Sequence, residues 1–123
     1  MKILVVDDDD LVRDMVGQML TRAGHLIQKV PNGRRALEVL RVRGPHLMIT
    51  DIRMPGITGV ELCRAAKGLH PNLPVIGMSG HATDDIADGL FDGFLQKPFG
   101  MDELVDQVGE VTDRRSWKAE MKS

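Results

Sequence analysis

The stretch ILVVDDDD, residues 3 to 10, joins a run of branched hydrophobic residues to four adjacent aspartates. A short continuous apolar run of this kind is typical of a strand buried on both faces of a parallel sheet. Four neighbouring carboxylates repel one another. They can form a solvated acidic face, cap a helix or hold a cation. The question for the rest of the chain is which of these roles each aspartate takes.

Hydrophobic runs alternate with segments of helical periodicity along most of the chain. Strands are predicted at residues 3–6, 26–30, 47–49, 74–78 and 91–96. Helical stripes follow the first three strands and the last one. Thr58 and Glu61 have the spacing of a capping box, which predicts the start of the third helix. This alternation predicts an α/β fold with a doubly wound, five-stranded parallel sheet and helices on both faces.

Composition and charge limit the classes of function. The chain has 123 residues, of which 42% are hydrophobic, so we expect one domain with a proper core. The formal net charge is −2 and only 3% of residues are aromatic, which argues against direct binding of nucleic acid. The single cysteine, Cys63, excludes a disulfide within the chain and favours a cytoplasmic location. No apolar run approaches the length of a membrane span.

Five polar side chains follow the predicted strands. Asp7 and Asp8 come after the first strand, Asp51 after the third, Ser79 after the fourth and Lys97 after the fifth. Taken singly, each has an ordinary explanation as a helix cap, a turn residue or a solvated lysine. Ligands of doubly wound sheets bind at the carboxyl ends of the strands, however, and all five residues stand at such ends. We therefore expect them to converge in one cleft.

The chemistry open to this set is narrow. Three clustered carboxylates are costly unless a cation neutralises them, and their hard oxygen atoms suit Mg²⁺. A carboxylate beside Mg²⁺ and a lysine is equipped to attack phosphorus, because the two cations offset the charge of the incoming phosphoryl group. The hydroxyl can hydrogen-bond a phosphoryl oxygen.

Four ordered blocks of sequence carry a family resemblance. They are I-L-V-V-D-D at 3–8, D-I-R-M-P-G at 51–56, M-S-G-H-A at 78–82 and F-L-Q-K-P-F at 94–99. Together they resemble the receiver domain of bacterial two-component response regulators, the CheY-like family. The resemblance implies a flavodoxin-like sheet with strand order 2-1-3-4-5. It assigns residues 1–112 to the receiver domain and leaves residues 113–123 as a polar extension of the last helix or a linker.

The resemblance also implies a phosphoacceptor and a metal site. Asp51 is the implied phosphoacceptor. Asp7, Asp8 and Asp51 are the implied ligands of Mg²⁺, or of Mn²⁺, together with the backbone carbonyl of Arg53. The implied partner is a sensor histidine kinase or a phosphotransfer protein that donates a phosphoryl group. The downstream protein target is left open.

Further implied roles concern the switch. Ser79 is the switch hydroxyl, Lys97 pairs with the phosphoryl group, and Phe94 is the switch aromatic that moves inward in the family. The resemblance further implies that the Lys97–Pro98 peptide bond is cis. Phosphorylation would then alter the face formed by the helix between the fourth and fifth strands, the fifth strand and the last helix.

The sequence departs from the family pattern around this switch. Ser79 and Lys97 are roughly one helical turn closer in sequence than usual, so we expect the helix between the fourth and fifth strands to be short, mobile or absent. With this shortening, the chain is more like receivers attached to hybrid sensor kinases than like those of transcription factors. Arg53 and His81 occupy positions that modulate phosphoryl hydrolysis in the family. Arg53 either shields the phosphoryl group or points into solvent, and His81 is favoured as a surface residue.

Two other functions compete with a receiver. A haloacid-dehalogenase-type phosphatase also uses an aspartate nucleophile and Mg²⁺, but it needs a second aspartate two residues later, where this chain has Arg53. A phosphorylation-independent interaction module could share the fold. The sequence favours a signalling domain that catalyses only its own phosphorylation and dephosphorylation, and so is not an enzyme in the usual sense.

Overall fold

The computed structural model describes residues 1–80 and 89–122, with side chains up to residue 112. Within them it has five strands and four helices. The strands are β1 (Lys2–Val6), β2 (Leu26–Val30), β3 (Leu47–Asp51), β4 (Val75–Ser79) and β5 (Gly93–Gln96). The helices are α1 (Asp10–Arg22), α2 (Gly33–Val42), α3 (Gly59–Leu69) and α4 (Met101–Lys122).

All five strands are parallel and lie in one sheet with the order β2-β1-β3-β4-β5. This confirms the predicted doubly wound fold and its strand order. The strand order reverses between β1 and β3, which is where ligands bind in sheets of this kind. The residues of β3 and β4 are all buried, whereas most of β2 is not, as expected of central and edge strands.

Two hydrophobic cores cover the two faces of the sheet. Alternate residues of β1 enter different cores, so Ile3 and Val5 pack with α1 and α4, while Leu4 and Val6 pack with α2 and α3. This explains why the first apolar run is continuous rather than alternating. The strand has no face left for a polar residue until it ends, and the first polar side chains after it therefore emerge at the edge of the sheet.

Local capping fixes where two helices begin. The carboxylate of Asp9 accepts the N–H groups of Leu11 and Val12 and so caps α1. Thr58 and Glu61 form the predicted capping box at the start of α3. Both caps lie at the carboxyl edge of the sheet, so they set the two helix starts that border this edge.

The predicted fifth strand begins two residues too early. Residues 91 and 92 are outside β5 because the Asp92 carboxylate turns back and accepts the N–H of Val75 (2.9 Å) and the ammonium of Lys67 (2.8 Å). Asp92 thus ties α3 and the start of β4 to the segment that leads into β5. A sequence pattern of alternating apolar residues carries no signal of such a contact.

Two predictions concern less regular parts of the chain. The expectation of a short, mobile or absent helix between β4 and β5 falls on residues 81–88, which lie outside the described residues. The backbone of α4 is helical to Lys122, so residues 113–122 continue the last helix. Across the described ranges, no helix is long and apolar enough to cross a membrane.

The contacts of Asp92 make its stability contribution testable. We expect Asp92→Ala to lower the free energy of unfolding by about 1–3 kcal/mol, because the buried N–H of Val75 loses its acceptor. Urea denaturation measures the loss. Asp14→Ala is the control, since Asp14 forms only an exposed ion pair with Lys29 and should change stability by less than about 1 kcal/mol. Equal losses in the two variants would contradict the proposed tie.

Candidate functional site

Four of the predicted side chains meet at the carboxyl edge of the sheet. Carboxylate oxygens of Asp7, Asp8 and Asp51 all lie within 4.8 Å of one another. The ammonium of Lys97 lies 3.0 Å from Asp7 Oδ2 and 3.4 Å from Asp51 Oδ1. Three strands, β1, β3 and β5, therefore contribute to one charged cluster, which is the convergence that the strand pattern predicts.

The four adjacent aspartates have four different environments. Asp7 is fully buried, with Oδ1 accepting the N–H of Asp9 and Oδ2 facing Lys97. Asp8 is exposed at the mouth of the cluster. Asp9 caps α1, and Asp10 pairs with Arg13 in its first turn. The repulsion within the run is thus relieved by a lysine, a helix start and an arginine, and only Asp7 and Asp8 belong to the cluster.

Burial and charge shift the protonation equilibria of the cluster. Burial raises the pKa of Asp51 from 3.8 to about 6, although the nearby Lys97 opposes the shift and Asp7 and Asp8 add to it. Burial alone would lower the pKa of Lys97, but its hydrogen bond to Asp7 and the charge of Asp51 outweigh burial and raise it. Lys97 therefore stays charged, while Asp51 is held in a site with excess negative charge.

The donor set fits a divalent cation. With every group ionised, three carboxylates and one ammonium leave a net charge of −2 in the cluster. All three acidic groups present hard oxygen atoms, which Mg²⁺ prefers. Asp8 is open to solvent, so a cation could keep several water ligands on that side. Asp7, Asp8 and Asp51 are the residues that could hold it.

Ser79 ends β4 beside this cluster and is almost fully buried. Its backbone carbonyl accepts the N–H of Lys97 at 2.6 Å, which joins the ends of β4 and β5. The Lys97–Pro98 peptide bond that follows is cis, as the family resemblance implies.

The remaining predicted residues lie further out or outside the described part. Arg53 lies in the loop between β3 and α3 with an exposed side chain, so exposure does not decide between its two predicted orientations. Phe94 is half-buried in β5, where it is aligned with Gly77, and its N–H donates to the side chain of Gln107 in α4. His81 falls outside the described residues.

The structure adds two residues that the sequence analysis missed. The guanidinium of Arg13 donates to the backbone carbonyl of Asp7 at 2.8 Å and so ties α1 to the end of β1. Gly59, the first residue of α3, lies against the backbone of Asp51. Arg13 could have been suspected, because it stands on the first turn of the helix that follows the aspartates. The position of Gly59 has no such local signal.

Comparison with known proteins places these features in one family. The model of the response regulator receiver domain matches residues 3–109. The chain is 41% identical over 111 residues to the DNA-binding transcriptional regulator NtrC of Escherichia coli K12, covering 86% of this chain and 24% of NtrC. It is 32% identical to the response regulator MprA of Mycolicibacterium vanbaalenii, covering 92% of this chain and 51% of MprA. The chain thus spans about a quarter to a half of the length of these relatives.

Solved structures of other proteins are also similar to this chain. NtrX from Brucella abortus superposes with a TM-score of 0.90 and 31% identity, covering 98% of this chain and 29% of NtrX. The response regulator TrrA from Thermotoga maritima, solved in complex with Mg²⁺ and BeF, superposes with a TM-score of 0.83 and 29% identity, covering 89% of this chain and 97% of TrrA. These relatives are not described as hybrid kinases, so the expected likeness to hybrid-kinase receivers stays a prediction.

The raised pKa of Asp51 has a consequence for stability. Asp51→Asn removes a carboxylate that ionises at lower pH in the unfolded chain than in the folded one. We expect the variant to be more stable than the wild type by up to about 3 kcal/mol above pH 6. The difference should shrink as the pH falls and vanish near pH 3, where the carboxyl is neutral in both states. Urea denaturation in EDTA across this range measures it. A difference that does not change with pH would contradict the assignment.

A cation in the cluster should stabilise the fold. At a Mg²⁺ concentration ten times its dissociation constant, we expect the free energy of unfolding to rise by about 1.4 kcal/mol, since only the folded state has the site. Asp8→Asn should abolish most of this gain, whereas Asp14→Asn, which changes an exposed aspartate of α1, should keep it. Thermal unfolding with and without Mg²⁺ measures this stabilisation. An equal stabilisation of both variants by Mg²⁺ would rule out Asp8 as a ligand.

Proposed function

This chain belongs to the family of response regulator receiver domains, and we propose from that premise that Asp51 is its phosphoacceptor. In this proposal a sensor histidine kinase or a histidine phosphotransfer protein donates the phosphoryl group in a reaction that depends on Mg²⁺ or Mn²⁺. The phosphorylated domain then binds its partners differently. Residues 1–112 are proposed as the receiver domain, with residues 113–123 as an extension of its last helix or a linker, and the helical backbone up to Lys122 favours the extension.

The observation that carries the proposal is the position of the Asp51 carboxylate beside Lys97 and two further carboxylates. A carboxylate oxygen of Asp51 attacks the phosphorus atom of the donor. The bond from phosphorus to the donor atom breaks, and the donor leaves with the electron pair. Bound Mg²⁺ would supply positive charge to the phosphoryl oxygens in this step.

The other side chains of the cluster have separate tasks in this proposal. Asp7 and Asp8, with the backbone carbonyl of Arg53, hold the cation together with Asp51. The Lys97 ammonium, fixed between Asp7 and Asp51, offsets the charge of the incoming group. Only an ionised carboxylate attacks, and without a cation burial raises the pKa of Asp51. A cation bound beside Asp51 would favour the ionised form that attacks.

The switch begins at Ser79. We propose that its hydroxyl hydrogen-bonds a phosphoryl oxygen and that Phe94 on the neighbouring strand moves in response. The hydrogen bond between Ser79 and Lys97 and the alignment of β4 with β5 support such coupling, since the ends of the two strands are joined. Arg53 and His81 are proposed to modulate hydrolysis of the phosphoryl group.

The surface beside the cluster suits a protein donor. Leu11 and Met15 stand one turn apart on α1 and are 82% and 42% exposed. Leu11 comes three residues after Asp8, in the first turn of α1, so a partner that covers these two side chains would come close to the mouth of the cluster. We propose a cytoplasmic domain that does not itself contact nucleic acid or membrane. NtrC, described as DNA-binding, is about four times as long as the segment matched here.

The phosphatase alternative has no support. The position two residues beyond Asp51 is Arg53, which cannot serve as the general acid that such enzymes take from an aspartate. The interaction module differs from a receiver in one measurable property, because it would bind partners without ever carrying a phosphoryl group.

Labelling with a small phosphodonor tests the proposed acceptor. Incubation with acetyl phosphate and Mg²⁺ should add one phosphoryl group, as read by intact-protein mass spectrometry. Asp51→Asn should remove the label, and Asp14→Asn should keep it. Absence of label in the wild type would favour the interaction module, and label that persists in Asp51→Asn would assign another acceptor.

The role of Lys97 is separable from metal binding. We expect Lys97→Met to slow labelling on the order of 100-fold, because a fixed cation next to the transferred group is lost. Its affinity for Mg²⁺ should stay equal or increase, since a positive charge has left the cluster. Calorimetric titration with Mg²⁺ and the time course of labelling measure the two properties. Unchanged labelling would remove Lys97 from the mechanism.

A further inference from the structure

Gly59 begins α3 at the point where the helix meets the end of β3. A Cβ atom built on Gly59 would lie 2.2 Å from the backbone oxygen of Asp51 and 2.6 Å from Cα of Ile52. Ordinary van der Waals contacts begin at about 3.4 Å. No other residue type fits here unless the Asp51–Ile52 peptide or the helix moves by about 1 Å. The requirement is one of space, since the helix start touches the backbone that carries the acceptor.

The same backbone oxygen has a second contact. The hydroxyl of Thr50 donates to the carbonyl of Asp51 at 3.0 Å, and Thr50 is fully buried. Asp51 is therefore held by a hydrogen bond within β3 and by the close approach of α3. Both contacts act on its backbone and leave the carboxylate free to face the cluster.

Both ends of the loop between β3 and α3 are held by backbone hydrogen bonds of Ile52. The N–H of Ile52 donates to Met78 of β4 at 2.9 Å, and its carbonyl accepts the N–H of Gly59 at 2.8 Å. The chain thus leaves Ile52, passes through Arg53 and returns to Ile52 at the start of α3. The capping box of Thr58 fixes the direction in which α3 leaves this point.

We propose that Gly59 is a positioning residue for the phosphoacceptor site. The start of α3, pressed against the peptide that follows Asp51, sets where the Asp51 carboxylate stands relative to Asp7, Asp8 and Lys97. It also sets the loop that carries the Arg53 carbonyl. The phosphoryl-transfer part of this inference rests on the proposed function, whereas its metal-binding part does not.

A displacement of about 1 Å at such a site should lower both the reaction rate and the affinity for Mg²⁺. Misplacement of this size can reduce a reaction rate on the order of 100-fold even when no reacting group is removed. A metal site tolerates it poorly as well, because Mg²⁺ demands near-ideal octahedral geometry. An added methyl group at residue 59 should therefore affect both properties while every charged side chain of the cluster is still present.

Two glycine-to-alanine variants of one helix make the test. Gly59→Ala places a methyl against Asp51, whereas Gly68→Ala, in the last turn of α3, places the same methyl in open space. We expect Gly59→Ala to bind Mg²⁺ at least 10-fold more weakly and to be labelled by acetyl phosphate on the order of 100-fold more slowly. Gly68→Ala should match the wild type in both. Calorimetric titration gives the affinity, and urea denaturation confirms that the proteins compared are folded.

The outcomes separate this inference from the proposed function. A folded Gly59→Ala with the Mg²⁺ affinity and labelling rate of Gly68→Ala would overturn the positioning role. If the wild type is not labelled, the proposed function fails, and the Mg²⁺ affinities still decide the role of Gly59. If Gly59→Ala does not fold, Thr58→Ala decides instead. It removes the capping box that fixes the start of α3 against the Asp51–Ile52 peptide. It should weaken Mg²⁺ binding several-fold, and an unchanged affinity would overturn the inference.

Discussion

The contact on which the site depends is that of one ammonium with two carboxylates that β1 and β3 bring together. Lys97 reaches from the end of β5 to Asp7 at 3.0 Å and to Asp51 at 3.4 Å. It offsets only part of the negative charge, and the remainder would favour a divalent cation in the cluster. β5 lies two strands from β3 and three from β1. Lys97 comes directly after β5, so the chain after this strand and the long lysine side chain together bring the ammonium to the cluster.

The same arrangement opposes stability. A carboxylate whose pKa is raised to about 6 is ionised at neutral pH against the preference of its surroundings. Many active sites hold groups in this way, and the cost is met by the rest of the fold. Here two hydrophobic cores hold the strands, and backbone hydrogen bonds join their carboxyl ends. A phosphoryl group and its cation would change the electrostatics at the very point where these strand ends meet.

The parts of the structure that the sequence predicts are those set by periodicity. The continuous apolar run of β1 places Asp7 and Asp8 at the edge of the sheet, and the same argument places Asp51, Ser79 and Lys97. Contacts between elements are not predicted in this way. Asp92 shortens β5 through a bond to Val75, and Gly59 touches Asp51 across a loop, and neither contact repeats along the chain. The spacing of hydrophobic and charged residues along the sequence predicts single helices and strands. Contacts between two such elements have to be read from the folded structure.

A crystal structure of the protein with Mg²⁺ and beryllofluoride, a stable mimic of a phosphoryl group, would show whether Asp51 is the acceptor. We expect the beryllium on a carboxylate oxygen of Asp51, Mg²⁺ coordinated by Asp7, Asp8 and Asp51, and Lys97 in contact with a fluorine atom. An anion bound to any other side chain, or a cation held without Asp51, would contradict it.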